Sequence, residues 1–197
     1  MKKIIIYILI ASLFAQQVSA DWSVESQELI KKIDSQNLND DQLTQIMDLA
    51  DEHKDMNLLM LAFKKLKPDA QKALAGWSVT GVFSFFSRNE KSYESSKQKV
   101  KMLSPGLDIN NDVYYSAQTG MYSNKNIQEP LDFFISLGFP VNYVPADIEN
   151  KKTLLDIADN LLSKYTLKGT RNLIIVADRE YLLSKGAKTY AGLSQAK

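Results

Sequence analysis

The sequence predicts an all-α protein, a compact helical array of short antiparallel helix pairs, and three observations carry that prediction. Apolar residues recur at helical spacing in short blocks. Gly or Pro punctuates many of the blocks, and the regular apolar/polar alternation of a half-buried strand is scarce. The 197 residues carry 24 Lys and Arg, 23 Asp and Glu, one His and no Cys. The absence of Cys excludes disulfides, thiolate metal sites and thiol nucleophiles, so stability must come from packing.

Residues 1–20 join a basic start at Lys2 and Lys3, an apolar stretch over 4–15, and Val18, Ser19 and Ala20 at the positions a signal peptidase reads. The expectation is a secretory signal cleaved after Ala20. An apolar stretch this short does not span a bilayer core of about 30 Å, which argues against an anchor. No Cys follows the cleavage site to take a lipid, and the expected location is periplasmic or secreted. Removing 20 residues from 197 leaves 177, enough for one domain with its own core, read as a helical region over 21–104 continuous with a second region over 105–197. Without Lys2 and Lys3 the balance is 22 bases to 23 acids, net −1, which favours no class of partner. Its distribution is uneven: 21–60 hold ten acids and three bases, net −7, and 61–104 hold three acids and nine bases, net +6. Two solvated surfaces explain this better than electrostatic steering, because exposed pairs are individually weak.

In chain order, Val24, Leu29, Ile30 and Ile33 fall on one helical face. Asp40 and Asp41 precede Leu43, Ile46, Met47, Leu49 and Ala50, so acids stand where a helix N-terminus favours them. A third helix fits 56–67, ahead of Pro68, and a fourth fits 69–75, closed by Gly76. Over 77–87, Val79, Val82, Phe83 and Phe86 recur at helical spacing with Ser78, Ser84 and Ser87 between them. A core helix beside a basic helix over 90–103 is preferred to a membrane-inserting one, since such stripes usually face a core.

Asp108, Asn110 and Asp112 alternate as calcium-loop ligands do. Val113 and Thr119, however, stand where that loop needs Gly and an acid, so a turn capped by Asn and Asp side chains is expected, with no metal. Asp112 can cap the next helix. Tyr114 and Tyr115 are adjacent and cannot both face inward, so at least one should meet solvent or a partner.

The chain is organised around 131–158. An apolar helix ends at Gly138, which takes the left-handed conformation without steric cost, and Pro140 forbids its resumption. An extended finger runs through Asn142 and Tyr143. Thr153 then caps a helix whose apolar face is Leu154, Leu155, Ile157 and Ala158. The same helix end recurs at Gly106, after Met102 and Leu103, and at Gly186, after Leu182 and Leu183.

These residues resemble the ankyrin repeat: a Leu-Leu-x-x-Gly helix end, a finger ending in Asn, and a Thr-Pro-Leu-His-x-Ala motif that Thr153, Leu155 and Ala158 match and Leu154 and Asp156 do not. Gly106 and Gly138 are 32 residues apart, near the period of about 33. Gly138 and Gly186 are 48 apart, which needs an insertion of about 15. Residues 166–177 are the candidate, with Leu173, Ile174, Ile175 and Val176 as a strand or an extended segment. The resemblance covers roughly 100–190 and implies degenerate ankyrin-like units that bind a protein partner. By position it implies contacts at Asn110, Asn111, Tyr114, Tyr115, Asn142, Tyr143, Asp156 and Asp159, although a core role is equally open for each Tyr.

Catalysis is not expected. Acid/base chemistry usually needs a matched pair including His, and His53 stands alone among charged neighbours; no nucleophile elbow, phosphate loop or zinc motif occurs. Asp156 and Asp159 share a helix face, which a solvated surface explains better than glycosidase chemistry. No cofactor is implied, and no continuous basic tract suggests nucleic acid. The expected function is a periplasmic or secreted protein-binding module, most concretely an inhibitor or immunity protein that neutralises a toxin. The alternative is an accessory or assembly protein for a periplasmic enzyme.

Overall fold

A computed structural model describes residues 22–85, 90–147, 149, 151–164 and 170–195, apart from the side chains of 85, 90–92 and 170–172. The signal segment 1–20, Phe86, Ser87 and part of the expected insertion lie outside the described residues. Among those described, the chain is all-helical, with ten helices packed in pairs and no strand. It divides into two compact units, Met1–Gln71 and Lys72–Lys197.

In the first unit, α1 covers 22–35, α2 Asp40–Glu52 and α3 Met56–Lys65, with α2 packed on α3. Helix α2 starts on a capping box: the Gln42 N–H donates to Asn39 Oδ1 at 2.9 Å and the Asn39 N–H donates to Gln42 Oε1 at 3.1 Å. Asp55 caps α3 through the Leu58 N–H at 3.0 Å, and Ser26 Oγ donates to its other oxygen at 2.6 Å, tying α1 to that helix end. Leu43, Ile46, Ala50, Leu58, Leu59 and Ala62 form the buried seam. Val24, expected on the apolar face of α1, is 61% exposed. The inward stripe runs instead through Trp22, Ser26 and Ile33, at helical spacing from the start of α1.

Helix α4, Pro68–Phe85, opens with Pro at a position where the missing N–H costs nothing. It does not end at Gly76 as expected. One helix runs through it, because Gly76 serves close approach rather than termination: a Cβ there would lie 2.8 Å from Asp112 Oδ1. Helices α5 Glu90–Leu103, α6 Asn110–Tyr122, α7 Gln128–Ser136, α8 Leu154–Lys164, α9 Thr170–Ser184 and α10 Tyr190–Ser194 complete the second unit. Helix α6 packs on α7 and α8, and α8 packs on α9. Their common core includes Val79, Met121, Leu131, Leu154, Ile157 and Ile175, each fully buried and each contributing roughly 1.5–3 kcal/mol by leaving water.

The three recurrent glycines all hold positive φ, 83° at Gly106, 99° at Gly138 and 80° at Gly186. At Gly138 the N–H of Gly138 bonds Ile135 O at 3.0 Å and the N–H of Phe139 bonds Phe134 O at 2.9 Å. Gly186 and Ala187 repeat this pair on Leu183 O and Leu182 O, the two-bond helix end that left-handed residues make.

Two sequence expectations are corrected in this unit. Leu173, Ile174, Ile175 and Val176 are helical, within α9. Ile175, Asp178 and Leu182 are buried at spacings of three and four residues, so tertiary burial overrides the β-branched propensity. Asp112 lies in the first turn of α6 and does not cap it; the N-cap position is Ile109, with no side-chain cap. Asp108 Oδ1 turns the chain there, accepting from the Asn110 N–H at 3.1 Å.

Candidate functional site

The eight residues singled out by position gather in the second unit, and most of their polar atoms join one part of that unit to another. Tyr114 is 1% exposed, and its hydroxyl donates to Lys152 O at 2.8 Å. Burial pushes that phenol up to about 12. It is a core residue, so contact with a partner at Tyr114 does not fit its surroundings. Tyr115, its outward neighbour, stands edge-on to it at 5.4 Å and reaches both oxygens of Asp147 at 3.2 Å. Tyr143 is half-buried and donates to Asn111 Oδ1 at 2.9 Å.

Asn142 joins two loops: its Nδ2 donates to Gly186 O at 3.2 Å and its Oδ1 accepts from the Lys188 N–H at 2.6 Å. Asp156 Oδ2 accepts from the N–H groups of Thr153 and Tyr190, each at 2.8 Å. Thr153 Oγ1 lies 2.9 Å from Asp156 Oδ2 and 2.8 Å from Lys188 O, with one proton for the two acceptors. Asp159 pairs with Arg179 Nε at 2.5 Å. Asn142, Asp156 and Asp159 thus act first as internal pins, and Asn110 begins α6 over the Asp108 turn.

Beside these pins lies a groove of about 280 Å3 between α4 and α6. Phe83 and Gly120 are part of its lining; Thr80 and Ser84 come from α4, and Asp112, Tyr115, Ser116 and Thr119 from α6. Gly76 and Gly120 leave room for neighbouring side chains, Asp112 at the first and Ile127 at the second, where a Cβ would lie 2.8 Å from Ile127 Cγ2. Asp112 is half-buried and, among the described residues, no other side chain donates a hydrogen bond to it. Burial raises its carboxyl above the ordinary range, while Lys72 and a hydrogen bond from its own backbone N–H pull it partly back. Trp77, the residue after Gly76, is 76% exposed and shares a face of α4 with Thr80 and Ser84.

Sequence reasoning missed Trp77, Thr80, Ser84 and Asp112 as a set. A legible signal existed in Ser and Thr recurring along an otherwise apolar helix, but the juxtaposition with α6 depends on the fold. Chemically, the groove offers hydroxyl donors and acceptors, the Asp112 carboxylate, the Lys125 ammonium of the loop after α6, and the rings of Phe83 and Tyr115. Among the described residues no group of three or more His, Cys, Asp or Glu is placed to hold a metal, and no helix is long and apolar enough to cross a membrane. In comparisons with protein families, curated proteins and solved structures, nothing matched the chain.

Proposed function

We propose that the chain is an exported protein-binding module, that its C-terminal part consists of degenerate ankyrin-like units, and that the α4/α6 face receives the partner. The observation that carries this reading is a groove with a hydroxyl-rich wall on α4 and α6, on a helix α4 that also exposes Trp77 widely. Trp and Tyr at the centre of such a surface are the usual anchors of protein recognition. The ankyrin-like reading is supported by left-handed glycines at all three recurrent helix ends and by Asn142 and Thr153 bonding the following finger. The signal-like start and the lack of a catalytic constellation in the sequence favour an exported binder over an enzyme. Neutralising a toxin is the concrete form of this role.

The test begins with the processed chain recovered from its native host, whose first residue should be Asp21. That chain, immobilised, is expected to retain one stoichiometric protein from secreted or periplasmic fractions. Trp77→Ala should weaken retention by about 2 kcal/mol, roughly thirtyfold, with an unchanged melting temperature. Host cells expressing the chain should survive a captured toxin that kills cells lacking it. Retention of Met1 would remove the export reading, and equal retention by Trp77→Ala would remove the proposed face.

A further inference from the structure

We propose that the chain holds a medium-chain carboxylate in a second cavity, where the end of α5, the start of α6 and the end of α7 meet. The inference goes beyond the protein-binding reading, since this cavity shares no lining residue with the α4/α6 groove. The cavity measures about 360 Å3, within the range of about 300–1,000 Å3 usual for small-molecule sites. Two helix ends border it. Gly106 after α5 and Gly138 after α7 both line it in the left-handed conformation, and a Cβ at either would meet no atom within 4 Å.

The wall combines apolar side chains with a single charge. Val113, Phe134 and Phe139 are buried residues of the wall, joined by half-buried Ile109 and by Leu137, which is 45% exposed. Removing water from such groups favours an alkyl occupant. Among the described residues, Lys101 is the only charged member of the wall. Its Nζ lies 5.7 Å from the centroid of the Phe133 ring and has no carboxylate partner among the described residues. Lys97, one turn earlier and over the same ring, is paired instead with Glu94 at 2.8 Å. Asp108, in the turn before α6, is not part of the wall and accepts the Asn110 N–H at 3.1 Å. Asn110 adds a carboxamide that can donate to a second ligand oxygen. One cation and one neutral donor suit a carboxylate, whereas a phosphate dianion would be left partly uncompensated and an ammonium would meet Lys101.

The test titrates the whole processed chain, 21–197, with decanoate, decanol and decylamine below their micelle-forming concentrations, followed by amide shifts in proton–nitrogen NMR spectra. Decanoate should bind saturably at one site and move the Gly106 and Gly138 amides. Decanol should bind about tenfold more weakly, and decylamine more weakly still. Lys101→Gln should weaken decanoate about tenfold, Lys101→Arg should restore most of the loss, and Lys101→Glu should reverse the preference toward decylamine. Leu137→Ser should weaken decanoate about threefold through lost apolar contact. Both positions are exposed, so all four variants should melt with the parent chain.

Equal affinity for decanoate and decylamine overturns the inference, as does binding indifferent to Lys101→Gln. Shifts scattered over both units, or the absence of saturable binding, also overturn it. Tighter binding of hexyl phosphate, or of a peptide ending in a free C-terminal leucine, would give the cavity to another anion and remove the medium-chain carboxylate. None of these results bears on the α4/α6 face, which the capture experiment tests by itself.

Discussion

Asp178 is the residue with the most unusual surroundings. It is fully buried on α9; Gln128 Nε2 lies 3.4 Å from Oδ1, and Oδ2 has no partner among the described residues. Burial pushes its carboxyl up to about 6, against the smaller pull of Gln128 and the Ile127 N–H. The unfolded chain ionises near 3.9, so the folded state prefers the protonated acid. Its contribution to stability is therefore most favourable below about pH 4, declines as pH rises toward about 6, and is level above that. Asp178→Asn should be more stable than the parent by about 1–3 kcal/mol at pH 7, and the gain should vanish near pH 4. Urea unfolding at the two pH values measures it, and a variant less stable at pH 7 would contradict the burial account. Nothing local in the sequence announces this: Asp178 stands between Ala177 and Arg179 like any solvated acid. Tyr114 and Tyr115 show the same limit, since adjacency requires one to turn outward but only packing decides which.

Helix ends were legible where glycine makes them and opaque where it does not. A left-handed residue with a Cβ costs about 1–2 kcal/mol, so Gly106, Gly138 and Gly186 stand out in the sequence. Lys54 and Asn124 hold the same conformation at φ 57°, and each is followed by the same long backbone bond, Asp55 N–H to Ala50 O at 2.7 Å and Lys125 N–H to Gly120 O at 2.9 Å. Lys marks nothing at 54, and Asn124, the type that after Gly takes this conformation most readily, is a weaker mark than a glycine. Conversely, Gly76 reads as a helix end in the sequence and is a contact position in the structure, because a sequence does not distinguish a glycine needed for φ from one needed for space. Gly138→Ala should destabilise the chain by about 1 kcal/mol, its Cβ meeting nothing within 4 Å. Lys54→Gly should do the reverse, by up to about 1 kcal/mol, and paired urea titrations would expose the error if both changes had the same sign.

Across the second unit, cohesion depends on side chains that reach far along the chain. Tyr114 to Lys152, Asn142 to Gly186 and Lys188, and Asp156 to Tyr190 span 34 to 46 residues. The all-helical class was legible because periodicity is local, and Asn142 and Thr153 stand out in the sequence beside Gly138 and Leu154. Their task is not legible there: an Asn in such a loop can face a partner or another loop, and only the folded structure selects the latter. That selection has a measurable consequence. Asn142→Ala deletes two bonds, each worth about 0.5–1.5 kcal/mol, so the unit should lose about 1–3 kcal/mol. The loss should be local. Amide exchange should accelerate over 186–194, where the Lys188 N–H loses its acceptor and α10 its attachment, while α6 and α7 keep their protection. If instead exchange is unchanged there and only partner capture suffers, Asn142 belongs to the recognition surface, as its position first implied, and the pin is incidental.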